Sequence, residues 1–213
     1  MAYKSRRNEA LDFIARSIIN QYDPNLLHTP TPIPIEDIME KSYGLTIEYQ
    51  HIRKDGRILG ETIFEDALIP IYEHKDNEGY KLIPVKAGTI IIDASLLSEQ
   101  KIGRHNFTLA HELAHWILDK NYFTQLGETA AMTLKPAKSS ETTALIERQA
   151  DRMASRLLMP KKTIKMAYHD ICNNTPSIIS QPASIIGVLA ELFVVSKQAM
   201  GIRLREMGLI TQS

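Results

Sequence analysis

The feature that most constrains this chain is a pair of histidines inside an apolar helical segment. Residues 111–115 read H-E-L-A-H, and most of their neighbours within 107–118 are apolar. Residues four apart lie on one face of an α-helix, so the rings of His111 and His115 can point at a single ion. Buried polar groups need partners, and two imidazoles at this spacing are typical ligands of a tetrahedral zinc ion.

A glutamate, Glu112, lies between the two histidines. A carboxylate beside a metal site can take a proton from a water molecule and later pass it to a leaving amine. The five residues match the H-E-x-x-H pattern of zinc peptidases. We therefore predict that His111 and His115 are zinc ligands and that Glu112 is the catalytic base.

A third ligand is expected because catalytic zinc usually takes three protein ligands and one water. Residues 144–160 form a second predicted helix, which ends at Pro160 because proline cannot continue it. Glu147 and Asp151 share one face of this helix. We predict Glu147 as the third ligand and Asp151 as the acceptor of a ligand imidazole N–H. The reverse assignment, and pairing of both acids with nearby arginines, stay open as alternatives.

These two segments resemble those of the ImmA/IrrE-type metallo-endopeptidases. The second reads E-R-Q-A-D-R-M-A-S-R-L-L-M-P, and the resemblance extends over roughly residues 35–210, densest at 88–160. It implies that His111, His115 and Glu147 bind Zn²⁺ and that Glu112 is the base. The chain departs from the family at a packing position, where it has Met153 and the family more often has an aromatic residue.

The order of local patterns predicts an α+β fold. A helix is expected at residues 3–20, an extended proline-rich linker over 24–34 and a short helix at 35–42. Short β-branched and aromatic runs follow over 45–93, and the rest is mostly helical. We predict a small mixed or antiparallel sheet beside the zinc-binding helix, with a helical C-terminal part. An edge strand within 58–72 would hold a peptide by strand addition.

Three parts are predicted along the chain. Residues 1–34 form an N-terminal helix and linker, residues 35–180 a metallopeptidase domain, and residues 181–213 C-terminal helices packed on the core. Within the last part, Ile185–Leu204 resembles a helix-turn-helix with Val194 in place of the usual glycine. Its local charge is small, which disfavours DNA binding.

Two loops are also expected. Residues 76–79 are typical of an exposed hairpin tip, and part of 121–143 is predicted to be a mobile loop over the cleft. Tyr122, His105 and Tyr168 are candidate donors to the oxyanion of a tetrahedral intermediate, although structural roles are favoured for all three.

Composition excludes several classes of protein. The net charge is zero and the only cysteine is Cys172, so no disulfide can form within the chain. A cysteine nucleophile is disfavoured because no catalytic partner is evident beside it. Apolar runs are too short to cross a membrane. We expect a cytoplasmic protein with no membrane partner.

The resemblance implies a zinc-dependent endopeptidase that makes a regulatory cut in a protein substrate, a repressor or antitoxin-like protein of a mobile element or prophage. The alternative is a non-proteolytic regulatory protein that binds a repressor or DNA, with the metal site structural or vestigial. Structural zinc normally has four protein ligands, often cysteines. The predicted set of three without a cysteine favours an open, catalytic site.

Overall fold

The secondary structure follows the predicted order of helix, strands and helices. The structure is a computed structural model, and it describes residues 3, 5–53, 58–72, 79–126, 141–176 and 181–211. The helices within these residues are α1 (Asn8–Tyr22), α2 (Ile35–Asp37, continued by a π-helical turn at Ile38–Ser42), α3 (Ile102–Leu126), α4 (Glu141–Leu158), α5 (Lys161–Asn174), α6 (Pro182–Leu192) and α7 (Lys197–Glu206). The strands are β1 (Thr46–Gln50), β2 (Gly60–Thr62), β3 (Ala67–Ile71), β4 (Lys81–Val85) and β5 (Thr89–Asp93).

Five strands form two small sheets. In the first, β5 lies between β1, which runs parallel to it, and β2, which runs antiparallel. The second sheet is the antiparallel pair β3–β4. Every residue of β5 is buried, as expected for a central strand. Its side chains alternate between faces: Ile90 and Ile92 join the main core, and Ile91 joins a smaller cluster with Ile63 and Ile69.

The main core is built on α3 and α4, which pack along each other. The apolar side of α3 contributes Leu109, Leu113 and Leu118, and α4 contributes Met153 and Leu157. Small residues lie between these larger side chains on both helices, namely Ala110, Ala114, Ala150 and Ala154. Because alanines let two helix backbones approach closely, the polar residues on the two helices can also meet.

The predicted fold class is confirmed: the protein is α+β, with small mixed and antiparallel sheets, a long helix carrying His111 and His115, and a helical C-terminal part. The short helix at 35–42 ends before Gly44, whose φ of 63° is the left-handed conformation that favours glycine. The strands β2 and β4 were not among the runs singled out in the sequence. β2 is only three residues long and begins with glycine, so it carries almost no strand pattern.

Two predicted boundaries were wrong. The first helix begins at Asn8 rather than residue 3, because Tyr3 and Arg6 bond to residues of α3 and α4 instead of continuing a helix. The expected loop over 121–143 is also shorter at both ends, since α3 extends to Leu126 and α4 begins at Glu141. The remainder of that loop, and residues 76–78 of the expected hairpin tip, lie outside the described residues.

The turn between α6 and α7 packs on the first turn of α3. Its left-handed residue is Val194, with a φ of 51°, and the carbonyl of Val194 accepts a hydrogen bond from Asn106 Nδ2 at 3.1 Å. A Cβ built on Gly103 would lie 2.6 Å from the carbonyl carbon of Val195 and 2.7 Å from the amide nitrogen of Ser196. Only glycine therefore allows this approach of the two backbones.

A buried ion cluster attaches α7 to α1 and α4. Arg156 and Arg203 are each 2% exposed, and both bind Asp12 at 3.3 Å. Both also bind Glu206, Arg203 at 3.0 Å and Arg156 at still closer range. Burial raises the pKa of Glu206, but the two guanidinium groups outweigh it and lower that pKa. The two partly exposed carboxylates neutralise the two buried guanidinium groups, which would otherwise be unpaired charges in the interior.

Among the described residues, no single helix is long and apolar enough to cross a membrane. The pair α6 and α7 would pass together on length and composition alone, but the two helices are bent by 112° at their break.

The contact at Gly103 leads to a prediction about stability. Gly103→Ala should lower the free energy of unfolding by about 1–3 kcal/mol, since the new Cβ meets backbone that cannot move without shifting α3 or the α6–α7 turn. Gly187→Ala is the matched control, because Gly187 is also helical and its Cβ would meet only Lys197 Cε at 3.9 Å. That substitution should stabilise the protein by about 0.5–1 kcal/mol. Urea denaturation measures both, and equal effects would contradict the contact.

Candidate metal centre

The two histidines of α3 point their outer ring nitrogens at each other. His111 Nε2 and His115 Nε2 are 2.9 Å apart, with the two rings inclined at 76°. The four-residue spacing on α3 places both rings on one side of the helix, as predicted. His115 is 2% exposed and His111 is 16% exposed, so this side of the helix faces the interior.

Glu147 reaches the same point from α4. Its Oε2 lies 3.5 Å from His111 Nε2, and its Oε1 lies 3.8 Å from His115 Nε2. A ring nitrogen of each histidine and a carboxylate oxygen of Glu147 all lie within 4.8 Å of one another. The packing of α4 on α3 therefore brings together two nitrogens and a carboxylate oxygen from distant parts of the chain.

The inner ring nitrogens are each held by an aspartate. Asp151 Oδ1 lies 2.9 Å from His111 Nδ1, and Asp119 Oδ2 lies 2.8 Å from His115 Nδ1. When each Nδ1–H donates to its carboxylate, each Nε2 presents a lone pair to the common point. Asp151 thus contacts the side of the ring opposite to Glu147. This arrangement favours Glu147 as ligand and Asp151 as the acceptor, rather than the reverse.

Asp119 is a residue that the sequence analysis missed. It is fully buried on α3, four residues after His115. Residues 111, 115 and 119 continue one helical face at intervals of four, and that repeat was a readable signal in H-E-L-A-H-W-I-L-D. Only the burial of Asp119, which the sequence did not specify, shows that it serves the histidine rather than solvent.

The carboxylates around His111 favour its charged form. Burial of the ring lowers its pKa, but Asp151, Glu147 and Glu112 outweigh burial and raise the pKa of His111 to about 10. Without a metal, the ring therefore keeps a proton at neutral pH. A divalent cation would replace that positive charge, so metal binding releases a proton.

These donors fit a metal ion. Two neutral imidazole nitrogens and one carboxylate oxygen are a common zinc set that leaves a fourth position open. Other divalent ions accept the same donors. A positive charge at this point would also satisfy the four carboxylates that surround it, those of Glu112, Asp119, Glu147 and Asp151.

The predicted base, Glu112, is held by strand β2. Its side chain is buried at 6% exposure, and Thr62 Oγ1 lies 2.7 Å from Oε2 and 3.0 Å from the Glu112 carbonyl oxygen. A hydroxyl has one proton, and the shorter contact to the carboxylate is the stronger bond. A Cβ built on Gly60 would lie 2.6 Å from Glu112 Oε1. β2 therefore covers the carboxylate closely and sets its position.

The three candidate oxyanion donors contact other groups. Tyr168 donates to the Leu209 carbonyl at 2.8 Å, and His105 Nε2 lies 3.0 Å from Tyr49 Oη. Tyr122 packs edge-on against the rings of Tyr3 and Phe123. These contacts fit the structural roles favoured for the three residues.

A cavity of about 640 Å³ adjoins the centre on the side of Asp151. Its walls come from α3, α4 and α7 and include Arg104, Phe107, Ser155 and Ile202. The cavity is large enough for side chains of a bound peptide.

Metal content tests the ligand assignment. We expect about one zinc per chain in the wild type and loss of bound metal in Glu147→Ala, since two histidines alone hold the ion weakly. Asp151→Ala should retain a full site with an affinity about 10–100-fold lower, because it removes only the acceptor of the His111 N–H. Elemental analysis after purification without added metal gives the stoichiometry. Zinc retained by Glu147→Ala and lost from Asp151→Ala would reverse the two roles.

The chain is similar to known proteins in its fold and in its sequence family. A solved structure of a Mycobacterium tuberculosis transcriptional regulator matches with a TM-score of 0.50 and 15% identity, over 93% of this chain and 57% of that one. The chain therefore spans little more than half of that regulator, and at this identity the likeness concerns the fold alone. No curated protein sequence matches the chain.

The family model of the IrrE N-terminal-like domain, Peptidase_M78, matches residues 71–205, which include both helices of the centre. The chain belongs to this ImmA/IrrE family and carries its metallopeptidase-like domain.

Proposed function

We propose that the protein is a zinc-dependent endopeptidase that makes a regulatory cut in a repressor or antitoxin-like protein of a mobile element or prophage. The observation that carries the peptidase proposal is the placement of Glu112. This buried carboxylate follows the candidate ligand His111 on α3, acts electrostatically on its ring, and accepts a hydrogen bond from Thr62. A structural metal site has no need of a fourth carboxylate fixed in this way.

In the proposed reaction, the chain positions a base and a peptide around the metal. A zinc ion held by His111, His115 and Glu147 would act as a Lewis acid and would lower the pKa of the attacking water. Glu112 takes a proton from the attacking water at a carboxylate oxygen and delivers it to the nitrogen of the leaving amine. The hydrogen bond from Thr62 restricts rotation of this carboxylate, so it remains aligned through both transfers.

Strand β2 is suited to hold the peptide substrate. It is one of the two edge strands of its sheet, pairs with β5 on one side, and lies against Glu112 at Gly60 and Thr62. A peptide added to the other edge would lie next to Glu112, with main-chain hydrogen bonds to orient the scissile bond. β2 lies within residues 58–72, the predicted location of this strand.

The identity of the substrate is the family-based part of the proposal. The ImmA/IrrE resemblance supports a repressor or antitoxin-like protein, and such a substrate agrees with a cytoplasmic location. The absence of net charge and the buried state of Arg203 on α7 give no support to a DNA-binding surface. The competing function, in which the protein binds a repressor without cutting it, predicts a stable complex with an intact partner.

Replacement of Glu112 tests the proposed reaction. Glu112→Gln should bind zinc as well as the wild type, yet lose cleavage by about 10²–10⁴-fold, because the amide cannot take the proton. The probe is a purified repressor that the zinc-loaded wild-type protein cleaves, with the new termini identified by mass spectrometry. Glu99→Gln, at an exposed position, is the matched control. Undiminished cleavage by Glu112→Gln would show that another group is the base.

A substitution on β2 separates the position of Glu112 from its chemistry. In Gly60→Ala the new Cβ would lie 2.6 Å from Glu112 Oε1 and 2.8 Å from Thr108 Cγ2, so the carboxylate must move. We expect cleavage to fall about 100-fold with zinc content unchanged, as a displacement of about 1 Å is sufficient for such a loss. Gly79→Ala, where nothing lies within 4 Å of the new Cβ, should leave the rate unaltered. Full activity of Gly60→Ala in the same assay would contradict the role of β2.

A further inference from the structure

An N-terminal tyrosine reaches the back of the metal centre. Tyr3 Oη donates a hydrogen bond of 2.7 Å to Asp119 Oδ1. The other oxygen of that carboxylate lies 2.8 Å from His115 Nδ1. A continuous path of two hydrogen bonds therefore connects Tyr3 with a candidate metal ligand, although the family match begins only at residue 71.

The arm that carries Tyr3 is tied to both helices of the centre. On α4, the fully buried Gln149 donates from Nε2 to Tyr3 Oη, and its Oε1 accepts the Arg6 backbone N–H at 2.6 Å. On α3, the Leu118 carbonyl accepts a bond of 3.4 Å from Arg6 Nη2. The ring of Tyr3 packs edge-on against Tyr122 at 5.2 Å. Tyr3 is thus fixed by its ring and by its hydroxyl.

The hydroxyl is placed to act on Asp119. This carboxylate is 0% exposed, so each of its oxygens needs a donor within the protein. Burial and the adjacent Asp119 carboxylate raise the pKa of Tyr3, so the phenol keeps its proton and is the donor in this bond. With both oxygens engaged, the carboxylate cannot rotate away from His115. A ligand imidazole is oriented by the partner of its other nitrogen, and that partner is here held by Tyr3.

We propose that Tyr3 is a positioning residue of the metal centre: it holds Asp119 against His115, so the N-terminal arm sets how tightly the metal is retained. The inference rests on the proposed function only in requiring that His111, His115 and Glu147 bind a metal. It extends the centre to a segment that lies before α1 and outside the matched family domain.

Zinc affinity measures this role without any substrate. Tyr3→Phe keeps the ring on Tyr122 and removes only the hydroxyl. We expect its zinc dissociation constant, measured by competition with a chromophoric chelator, to rise about 10-fold, at the lower end of the range for outer partners of metal ligands. Tyr22→Phe is the matched control, because it removes a Tyr–Asp hydrogen bond of 2.9 Å to Asp37, away from the centre. It should leave the zinc affinity unchanged.

A double-mutant cycle tests whether Tyr3 acts through Asp119. Asp119→Asn alone should weaken zinc binding by about 10–100-fold. If Tyr3 works only by holding that carboxylate, adding Tyr3→Phe should weaken binding no further. Fully additive effects would overturn the path, as would an affinity of Tyr3→Phe equal to that of the wild type.

A spectroscopic readout separates positioning from a general loss of stability. Co²⁺ in place of zinc has visible absorption bands that depend on ligand geometry. At a temperature where circular dichroism shows all variants folded, Tyr3→Phe should alter these bands and Tyr22→Phe should not. Unaltered bands in Tyr3→Phe would assign the tyrosine to packing alone. Wild-type protein that binds neither ion would overturn the proposed centre itself, whereas normal wild-type binding with no effect of Tyr3→Phe would overturn only the present inference.

Discussion

The burial of a polar stripe on α3 is the constraint on which the rest of the structure depends. Glu112, His115 and Asp119 are each at most 6% exposed on a helix whose other sides form the apolar core. Polar groups placed there destabilise the fold unless every donor and acceptor finds a partner. The partners come from elements that are far apart in the sequence: Glu147 and Asp151 from α4, Thr62 from β2, and Tyr3 from the N-terminal arm. The fold is therefore organised around one set of titratable groups.

The same packing gives the centre two different sides. On one side, Asp151 of α4 and Asp119, which Tyr3 of the arm supports, contact the inner ring nitrogens of the two histidines. Nε2 of both rings is therefore directed at one point. On the other side, a short edge strand lies so close to Glu112 that a side chain at position 60 would displace the carboxylate. Metal retention and proton transfer thus depend on different contacts. Variants on the two sides should be separable by metal affinity and by cleavage rate.

The two C-terminal helices have the pattern of a helix-turn-helix, but they pack against the rest of the protein. The segment Ile185–Leu204 has the helix, break and helix of a helix-turn-helix, and Val194 indeed takes the left-handed conformation that glycine usually supplies there. In this protein the turn lies against Gly103 at the start of α3, and Arg203 of α7 is buried in an ion cluster with Asp12. These contacts attach the helix pair to α3 and α1, and they use a cation that a DNA-binding helix would expose.

The spacing of residues along the sequence was sufficient to predict the histidine pair, the two long helices and the fold class. The interval of four residues put His111 and His115 on one face, the pattern of apolar residues identified α3 and α4, and the order of strands before helices indicated α+β. Those features were readable because each depends on neighbours within a few turns of chain. Tertiary structure decided which carboxylate faces Nε2 of His111 and which faces Nδ1. Glu147 and Asp151 share one face of α4, so their spacing cannot distinguish them, and only the position of α4 along α3 assigns each to its nitrogen. It also decided the partners Thr62, Asp119 and Tyr3. A threonine in a three-residue strand and a tyrosine before the first helix carry no local mark of their roles, because those roles arise only when distant segments are buried together. The spacing of Asp119 from His115 is local, but its burial depends on the same packing.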